Sequence, residues 1–277
     1  MNNCKKRKII DKIMCFASFF CAFLTSTILI IIFGYVISKG AASVNIDFFI
    51  HMPMPVGEPG GGMGNAITGS LILIGLSCLW SVPVGILGGI FLSEFGNNKL
   101  GAMVRFAADV LNGIPSIVIG IFAYTMFVLP MKSFSAISGA FALGIIMIPT
   151  IMRTSEEMLR MVPNNLREAS LALGISQFRT ITSVVLKTAL PGIVTGVLLA
   201  IARIAGETAP LLFTAFGNRF WHQGLNQPIA ALPLQIFVYA ISPFDDWHRQ
   251  AWAGAFVLIV MVFLISLISR LALRRKI

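Results

Sequence analysis

The spacing of its apolar stretches is the strongest constraint on how this chain can fold. A membrane-spanning helix needs roughly 20 mostly apolar residues, and about six segments meet that length: residues 13–37, 66–92, 106–130, 134–152, 182–216 and 251–273. Charged residues make up only 12% of the chain, against about 25% in soluble domains, which is too few to cover a water-facing surface. The sequence therefore predicts an all-α membrane protein with about six transmembrane helices.

The first apolar stretch is predicted to remain in the protein as an anchor. Basic residues from Lys5 to Lys8 precede it, as in a signal peptide. However, the apolar core of a signal peptide has roughly 7–15 residues, and the stretch 13–37 is longer. We therefore divide the chain into residues 1–60, an anchor helix with an outer loop, and residues 61–277, the main transmembrane domain.

The Lys and Arg residues predict the orientation in the membrane, because basic residues concentrate in cytoplasmic loops. Arg203 lies inside a predicted span, and 16 of the 21 basic residues lie on one side of the spans: Lys5, Lys6, Arg7, Lys8, Lys12, Lys99, Arg105, Arg153, Arg160, Arg167, Arg179, Lys187, Arg270, Arg274, Arg275 and Lys276. The other side holds Lys39, Lys132, Arg219 and Arg249. Both termini are predicted to be cytoplasmic. Since the basic residues sit at the ends of apolar runs, the net charge of +10 does not indicate nucleic-acid binding.

Two apolar stretches do not fit a simple crossing. The fifth segment is longer than one span, so we expect an approach helix or a break near Gly206. Residues 229–241 are interrupted by Pro233, which predicts a re-entrant or interfacial segment on the outer side.

Residues 153–187 are the one long stretch predicted on the cytoplasmic side. Pro163 and the two asparagines after it predict a helix start with an N-cap, a short helix follows over residues 166–173, and Gly174 predicts its end. A second helix then approaches the fifth span. Together these elements form a compact projection that a partner protein can bind.

An ion pair is predicted inside the fifth span. An ionised side chain at bilayer depth costs at least roughly 2.5–3.5 kcal/mol, so Arg203 and Glu207, four residues apart, are expected to pair on one helix face. The guanidinium of Arg203 matches phosphate or sulfate oxygens, Glu207 can neutralise it when no anion is present, and Thr208 can donate a hydroxyl hydrogen bond. We interpret these residues as a substrate pathway. A buried ion pair that only fixes helix packing is the alternative.

A second polar group lies near the start of the third span. Pro115 predicts a kink there, and Asp109, Asn112 and Ser116 place polar atoms beside it. A constriction in a pathway, a contact with another subunit and simple helix packing through nearby glycines all remain open.

Three stretches resemble the permeases of binding-protein-dependent ABC importers. The run Glu168-Ala169-Ser170-Leu171-Ala172-Leu173-Gly174 is similar to the EAA loop of these permeases, with Ser170 in place of the second alanine. The stretches 200–211 and 109–120 resemble the A-type permease of phosphate-specific ABC importers, and the likeness extends from about residue 60 to the C-terminus.

This resemblance implies a type I ABC importer permease fold in a bacterial inner membrane. The stretch 153–180 is then the coupling loop, in which Glu168, Ala169, Ser170 and Gly174 contact an ATPase. The implied partners are a second, related permease subunit, two copies of a cytoplasmic ABC ATPase and an extracytoplasmic phosphate-binding protein. The implied function is that of the transmembrane channel subunit of an ATP-driven phosphate importer, without enzymatic activity or a cofactor of its own, because ATP and Mg²⁺ bind to the ATPase.

Other functions remain open at this point. The anion could be sulfate or molybdate, and a secondary anion transporter could use Glu207 to carry a coupling proton. A membrane-embedded enzyme would have to use His51, His222 and His248, whose spacing does not indicate a metal site. We therefore expect no metal ligands in this chain.

Overall fold

The computed structural model describes residues 2–55, 57–58 and 61–274, and the regular structure in these parts of the chain is helical. Pro59 and Gly60 of the predicted outer loop, and the basic residues Arg275 and Lys276, lie outside the described residues. The α-helices are α1 (Asn2–Gly40), α2 (Ile46–Ile50), α3 (Gly64–Glu94), α4 (Lys99–Gly113), α5 (Ser116–Ala123), α6 (Leu129–Met131), α7 (Ala136–Arg160), α8 (Asn164–Ala172), α9 (Gln177–Arg179), α10 (Leu186–Ala205), α11 (Ala209–Thr214), α12 (Leu232–Ala240) and α13 (Asp245–Arg274). A 3₁₀ turn at Ala41–Ser43 follows α1, and π-helical segments link α5 to α6 (Tyr124–Val128) and α9 to α10 (Thr180–Val185).

The number of helices that can cross a membrane agrees with the prediction. In the described part of the chain, five have the necessary length and apolar composition: α1, α3, α7, α13 and the continuous helix from α9 through α10. The pair formed by α4 and the helix from Ser116 to Met131 passes the same test together, which gives up to six spans. The predicted all-α membrane architecture is therefore confirmed.

The third predicted span differs from a kinked helix. α4 ends at Gly113, α5 begins at Ser116, and their axes differ by 102°. Pro115 is the N-cap residue of α5, with an extended ψ of 134°, and a proline disfavours helical geometry in the residue before it. The kink expected at Pro115 is therefore a full break, at which the proline separates two helices within residues 106–130.

Helices α3 and α7 form the centre of the bundle. They run in parallel, since contacts occur in the same order along both helices: Leu73 faces Gly139, and Gly89 faces Ser155. Their contact is close: a Cβ placed on Gly144 would lie 2.2 Å from the ring of Trp80. The α3–α7 pair is therefore packed tightly over several helical turns.

Further helices pack around this pair, and α1 is peripheral. α10 runs antiparallel to α7, with Gly192 and Gly196 facing Met158 and Thr154 respectively. α1 contacts mainly α13, and only 6% of the residues in its most apolar stretch are buried. Nearly the whole length of α1 is therefore left for lipid or for another protein.

The short apolar segment 229–241 contains the nine-residue helix α12. Pro233 lies in the first turn of α12, where the missing N–H has no intrahelical partner to lose. The sequence predicted that Pro233 interrupts this segment. In the structure, the proline instead lies at the start of the helix.

Candidate functional site

The predicted ion pair lies where the fifth span ends. α10 stops at Ala205, and Gly206 and Glu207 close its last turn, their N–H groups donating to the carbonyls of Arg203 and Ile204 at 3.3 and 3.1 Å. The break expected near Gly206 is therefore confirmed. Arg203 and Glu207 do not share one continuous helix, contrary to the sequence-based expectation. Their side chains still approach each other, with 4.0 Å between Nε and Oε1, because the chain turns only after Gly206.

Arg203 lies on a face of α10 that the rest of the described chain leaves uncovered. Its side chain is 42% exposed and that of Glu207 19%. Leu199, four residues earlier, is exposed on the same face, whereas Ala200 and Ile204 are buried against the bundle. An arginine facing lipid is costly. The exposed face of α10 is therefore suited to a polar pathway or to another subunit.

Thr208 and Pro210 connect this break to the next helix. The carbonyl of Thr208 accepts hydrogen bonds from the N–H groups of Leu211 and Leu212 at 3.1 and 3.2 Å, which starts α11. A Cβ placed on Gly120 of α5 would lie 2.7 Å from Pro210. α11 therefore holds the break against α5, the helix that begins at Ser116.

The second predicted group lies at the end of α4. Asp109 pairs with Arg153 of α7, with 3.1 Å between Oδ1 and Nε. The Thr150 hydroxyl donates to Oδ1 of Asn112 at 3.4 Å. These contacts tie the end of α4 to α7. Of the two glycines through which helix packing was expected, Gly120 packs against Pro210, whereas a Cβ on Gly113 would have no neighbour within 4 Å.

The structure keeps these two groups apart. In the described part of the chain, no hydrogen bond or ion pair joins Arg203 or Glu207 to Asp109 or Asn112. Each group has its own partner, and each lies at a change of chain direction.

The predicted coupling loop folds as a short helix and a turn. α8 spans Asn164–Ala172, and Gly174 follows with a φ of 76°, a left-handed conformation that glycine adopts without steric cost. Its N-cap residue is Pro163, with no side-chain cap, so the asparagine N-cap expected from the sequence was wrong. Both asparagines lie in the first turn, where they are exposed.

The residues of the EAA-like run divide between two faces of α8. Glu168 and Ala169 are exposed, whereas Ser170 is buried. The hydroxyls of Ser170 and Thr180 lie 2.9 Å apart in a hydrogen bond. Ser170 therefore attaches α8 to the π-helical segment that leads into α10, and Glu168 and Ala169 are free to contact a partner.

Apolar side chains surround this projection. Met161, Leu173 and Phe178 are each more than 70% exposed beyond the predicted ends of the spans. Apolar side chains exposed together outside the bilayer mark an interaction surface. We call these three residues the apolar rim of the coupling loop.

A buried carboxylate that the sequence reading missed organises the same end of the bundle. Glu156 of α7 has a side chain only 2% exposed, and three arginines contact it. Arg105 of α4 lies at 2.6 Å, Arg160 at 2.9 Å and Arg153 at 3.0 Å. The spacing of Arg153, Glu156 and Arg160 along one helix was a visible signal, but the contribution of Arg105, 51 residues away, was not.

A second missed pair attaches α8 to the bundle. Arg167 in α8 pairs with Glu94, the last residue of α3, and also donates a hydrogen bond to the carbonyl of Leu159 in α7 at 2.8 Å. Glu94 and Arg167 are 8% and 19% exposed. Nothing in their sequence spacing indicates this pairing.

The three histidines do not meet. His51 pairs with Asp47 at 3.4 Å, and His248 contacts the carbonyl of Ser242 at 2.6 Å. No group of three or more His, Cys, Asp or Glu side chains placed to hold a metal ion occurs among the residues that the structure describes.

Comparison with known proteins identifies the family. The model of the binding-protein-dependent transport system inner membrane component matches residues 81–276. The phosphate transport system permease protein PstA of Pasteurella multocida is 45% identical, with 98% of this chain and 96% of that protein covered. PstA of Xylella fastidiosa strain Temecula1 is 49% identical, with 87% and 85% covered. The probable PstA of Methanocaldococcus jannaschii is 37% identical, with 77% and 76% covered.

Solved structures support the same fold. An inward-facing structure of the MetNI methionine ABC transporter has a chain that aligns with a TM-score of 0.61 at 20% identity and covers 77% of this chain and 96% of its own length. An amino acid ABC transporter aligns with a TM-score of 0.53 at 17% identity, with 76% and 92% covered. The predicted importer permease fold is thus confirmed, and the chain belongs to the binding-protein-dependent transport system inner membrane components and, among them, to the PstA permeases.

Proposed function

We propose that this chain is a transmembrane channel subunit of an ATP-driven importer of inorganic phosphate. The observation that carries the proposal is the high identity, over nearly the whole chain, to phosphate transport system permeases. The chemistry of Arg203 fits this substrate, since a guanidinium offers donors that match the oxygens of phosphate. The chain itself carries out no covalent chemistry.

The partners follow from the surfaces that this chain leaves open. A second, related permease covers the exposed face of α10, so that Arg203 faces a pathway between two subunits instead of lipid. Two copies of a cytoplasmic ATPase bind the coupling loops, where the apolar rim and the exposed Glu168 and Ala169 provide the contact. ATP and Mg²⁺ bind to that ATPase, and an extracytoplasmic phosphate-binding protein delivers the substrate.

The orientation places the coupling loop and both termini in the cytoplasm. The support is the excess of basic residues on that side of the spans, among them Arg105, Arg160 and Arg167, which lie together in the structure. The membrane is a bacterial inner membrane.

Transport proceeds by alternating access in this proposal. Closure of the ATPase dimer moves the coupling loop, and the spans attached to it open the pathway to the outer side. Phosphate then competes with Glu207 for Arg203. The 4.0 Å separation of Arg203 and Glu207 suits this exchange, because a loose contact is weaker than a short ion pair. Thr208, at the start of α11, offers a hydroxyl beside them.

The test is phosphate uptake by cells that carry Arg203→Gln. We expect uptake to fall by roughly tenfold to a hundredfold, because a hydrogen bond to a charged group contributes about 1.5–3 kcal/mol. The ATPase should still co-purify with the variant. Arg219→Gln serves as the matched control, since this exposed arginine lies beyond the spans and should leave uptake unchanged.

Normal uptake by the Arg203→Gln variant would remove this residue from the pathway. Competition by sulfate or molybdate in the wild type would assign another oxyanion. Uptake that persists without the ATPase and stops when the proton gradient collapses would identify a secondary transporter.

A further inference from the structure

The coupling helix α8 is joined to its neighbours by short and bendable connections. Met161 to Pro163 separate it from α7, and Gly174 with its positive φ follows it. A nine-residue helix between such connections can pivot when a partner pushes on it. Movement of α8 therefore reaches the spans through its side-chain contacts with them.

One such contact is charged and largely shielded from water. Arg167 donates to both carboxylate oxygens of Glu94, and its second terminal nitrogen donates to the Leu159 carbonyl. Both Glu94 oxygens share one nitrogen of Arg167, Nη1, and a charge-assisted hydrogen bond of this kind is about twice as strong as a neutral one. Arg167 thus holds the ends of α3 and α7 with one side chain.

These two helix ends belong to the most tightly packed part of the bundle. Gly85, Gly88 and Gly89 of α3 lie directly against Ile151, Met152 and Ser155 of α7. Close-packed helices transmit displacement with little deformation. A movement of Arg167 is therefore passed to α3 and α7 as a unit.

The buried Glu156 extends this unit to α4. Its contact with Arg105 joins α7 to α4 at 2.6 Å, and Arg105 also donates to the carbonyls of Leu92 and Gly96 at the end of α3 at 2.8 and 2.9 Å. Three helices, α3, α4 and α7, thus meet at one end of the bundle, where their charges are paired.

The other contact of α8 is of a different kind. The Ser170–Thr180 pair is neutral and leads toward α10 through a π-helical segment. A neutral hydrogen bond is about half as strong as a charge-assisted one. The charged contact is the stronger of these two attachments.

We propose that Arg167 and Glu94 are the positioning residues that carry the movement of the coupling helix into α3, so that α3 is driven together with α7 by the ATPase. This inference rests on the proposed function. The coupling loop then moves α3, the second predicted span, in addition to α7. Arg167 and Glu94 transmit that movement.

The experiment uses the assembled importer in proteoliposomes, with the sister permease, the ATPase and the binding protein present. Phosphate transported per ATP hydrolysed is measured for Arg167→Gln, for Glu94→Gln, and for the charge exchange that combines Glu94→Arg with Arg167→Glu. Lys99→Gln is the control, because it removes one exposed positive charge at the same end of the bundle.

We expect each single variant to retain the bound ATPase and its basal hydrolysis, and to lose about tenfold in phosphate transported per ATP, within the usual range of coupling between sites. The charge exchange should recover most of that ratio, because it restores the ion pair between α8 and α3. Lys99→Gln should match the wild type. An unchanged ratio in Arg167→Gln would overturn the proposal. Loss of the ATPase from that variant would also overturn it, since Arg167 would then act in docking.

A readout independent of the substrate separates this proposal from the proposed function. A fluorescent label is attached to Leu79→Cys, an exposed position on α3, after the native cysteines are replaced by alanine. ATP should change its emission in the wild type, and Arg167→Gln should abolish the change. If the wild type carried no phosphate, the proposed function would fail, while this signal would still decide whether Arg167 moves α3.

Discussion

Replacing Glu156 by glutamine should destabilise the chain more than the same change at any exposed glutamate. Oε1 of Glu156 accepts a hydrogen bond from Arg105 and forms an ion pair with Arg160, and Oε2 accepts a hydrogen bond from Arg153. A glutamine retains one oxygen, so its amide group must face at least one arginine, donor against donor. The buried site leaves little room for water to relieve that contact.

The size of the effect follows from how exposed each partner is. Arg160 is 49% exposed, and a pair open to water contributes about 0–1 kcal/mol. Arg105 and Arg153 are 22% and 32% exposed, and a hydrogen bond to a charged group contributes about 1.5–3 kcal/mol. With the glutamine oxygen kept toward Arg105, the loss is one such contact, so we expect a destabilisation of about 1.5–3 kcal/mol.

Thermal unfolding of the purified complex in nanodiscs measures this loss. For a chain of this size, about 1 kcal/mol lowers Tm by roughly 2–4 °C, so Glu156→Gln should lower it by roughly 3–12 °C. Glu157→Gln is the matched control, because Glu157 is adjacent and exposed. If both variants lowered Tm equally, Glu156 would not be the centre of an ionic cluster, and the reasoning would be refuted.

Two glycine positions give further predictions. Gly144→Ala should destabilise the chain by about 1–3 kcal/mol, because the added Cβ meets the ring of Trp80 at 2.2 Å. The control Gly75→Ala on α3, where an added Cβ has no neighbour within 4 Å, should be neutral or stabilising. Equal Tm values for the two variants would contradict the close contact. Gly174→Ala should strain the left-handed turn by about 1–2 kcal/mol and reduce the amount of ATPase that co-purifies. Gly174→Asn should retain more ATPase, since asparagine tolerates this conformation. Equal ATPase binding by both variants would show that the turn is not needed.

The spans could be predicted because the bilayer sets their length. A run of roughly 20 apolar residues has few alternatives in lipid, and this predicted α3 closely, whereas α7 extends past its predicted end at residue 152 and α13 begins before its predicted start at residue 251. The same criterion failed for residues 106–130. Apolar composition does not distinguish a helix that crosses the bilayer from one that turns within it, and Pro115 signalled a break without giving its angle.

The candidate site could be predicted only in part. Local signals predicted local geometry: the four-residue spacing of Arg203 and Glu207 predicted that their side chains approach each other, and a glycine after a short helix predicted the turn at Gly174. Ion pairs between residues distant in sequence could not be predicted. The pairs of Glu94 with Arg167 and of Glu156 with Arg105 form across 73 and 51 residues, and packing of whole helices brings them together. Sequence periodicity carries no information on such contacts.

The serine that departs from the EAA pattern has a structural reason here. In the described chain, the Ser170 hydroxyl is bonded to that of Thr180, and both side chains are buried. A buried polar group without a partner costs about 1–3 kcal/mol, whereas removing both partners can be nearly neutral. Ser170→Ala should therefore weaken the complex although it restores the family's alanine.

A double-mutant cycle with Thr180→Val tests this explanation. The combination of Ser170→Ala and Thr180→Val should recover most of the Tm that either single change loses, because no hydroxyl is then left unpaired. A coupling energy of about 1 kcal/mol between the two sites is expected for residues in contact. If the two losses simply added, the hydroxyls would not be paired in the working complex, and the serine would be held at this position for some other reason than its bond to the start of the fifth span.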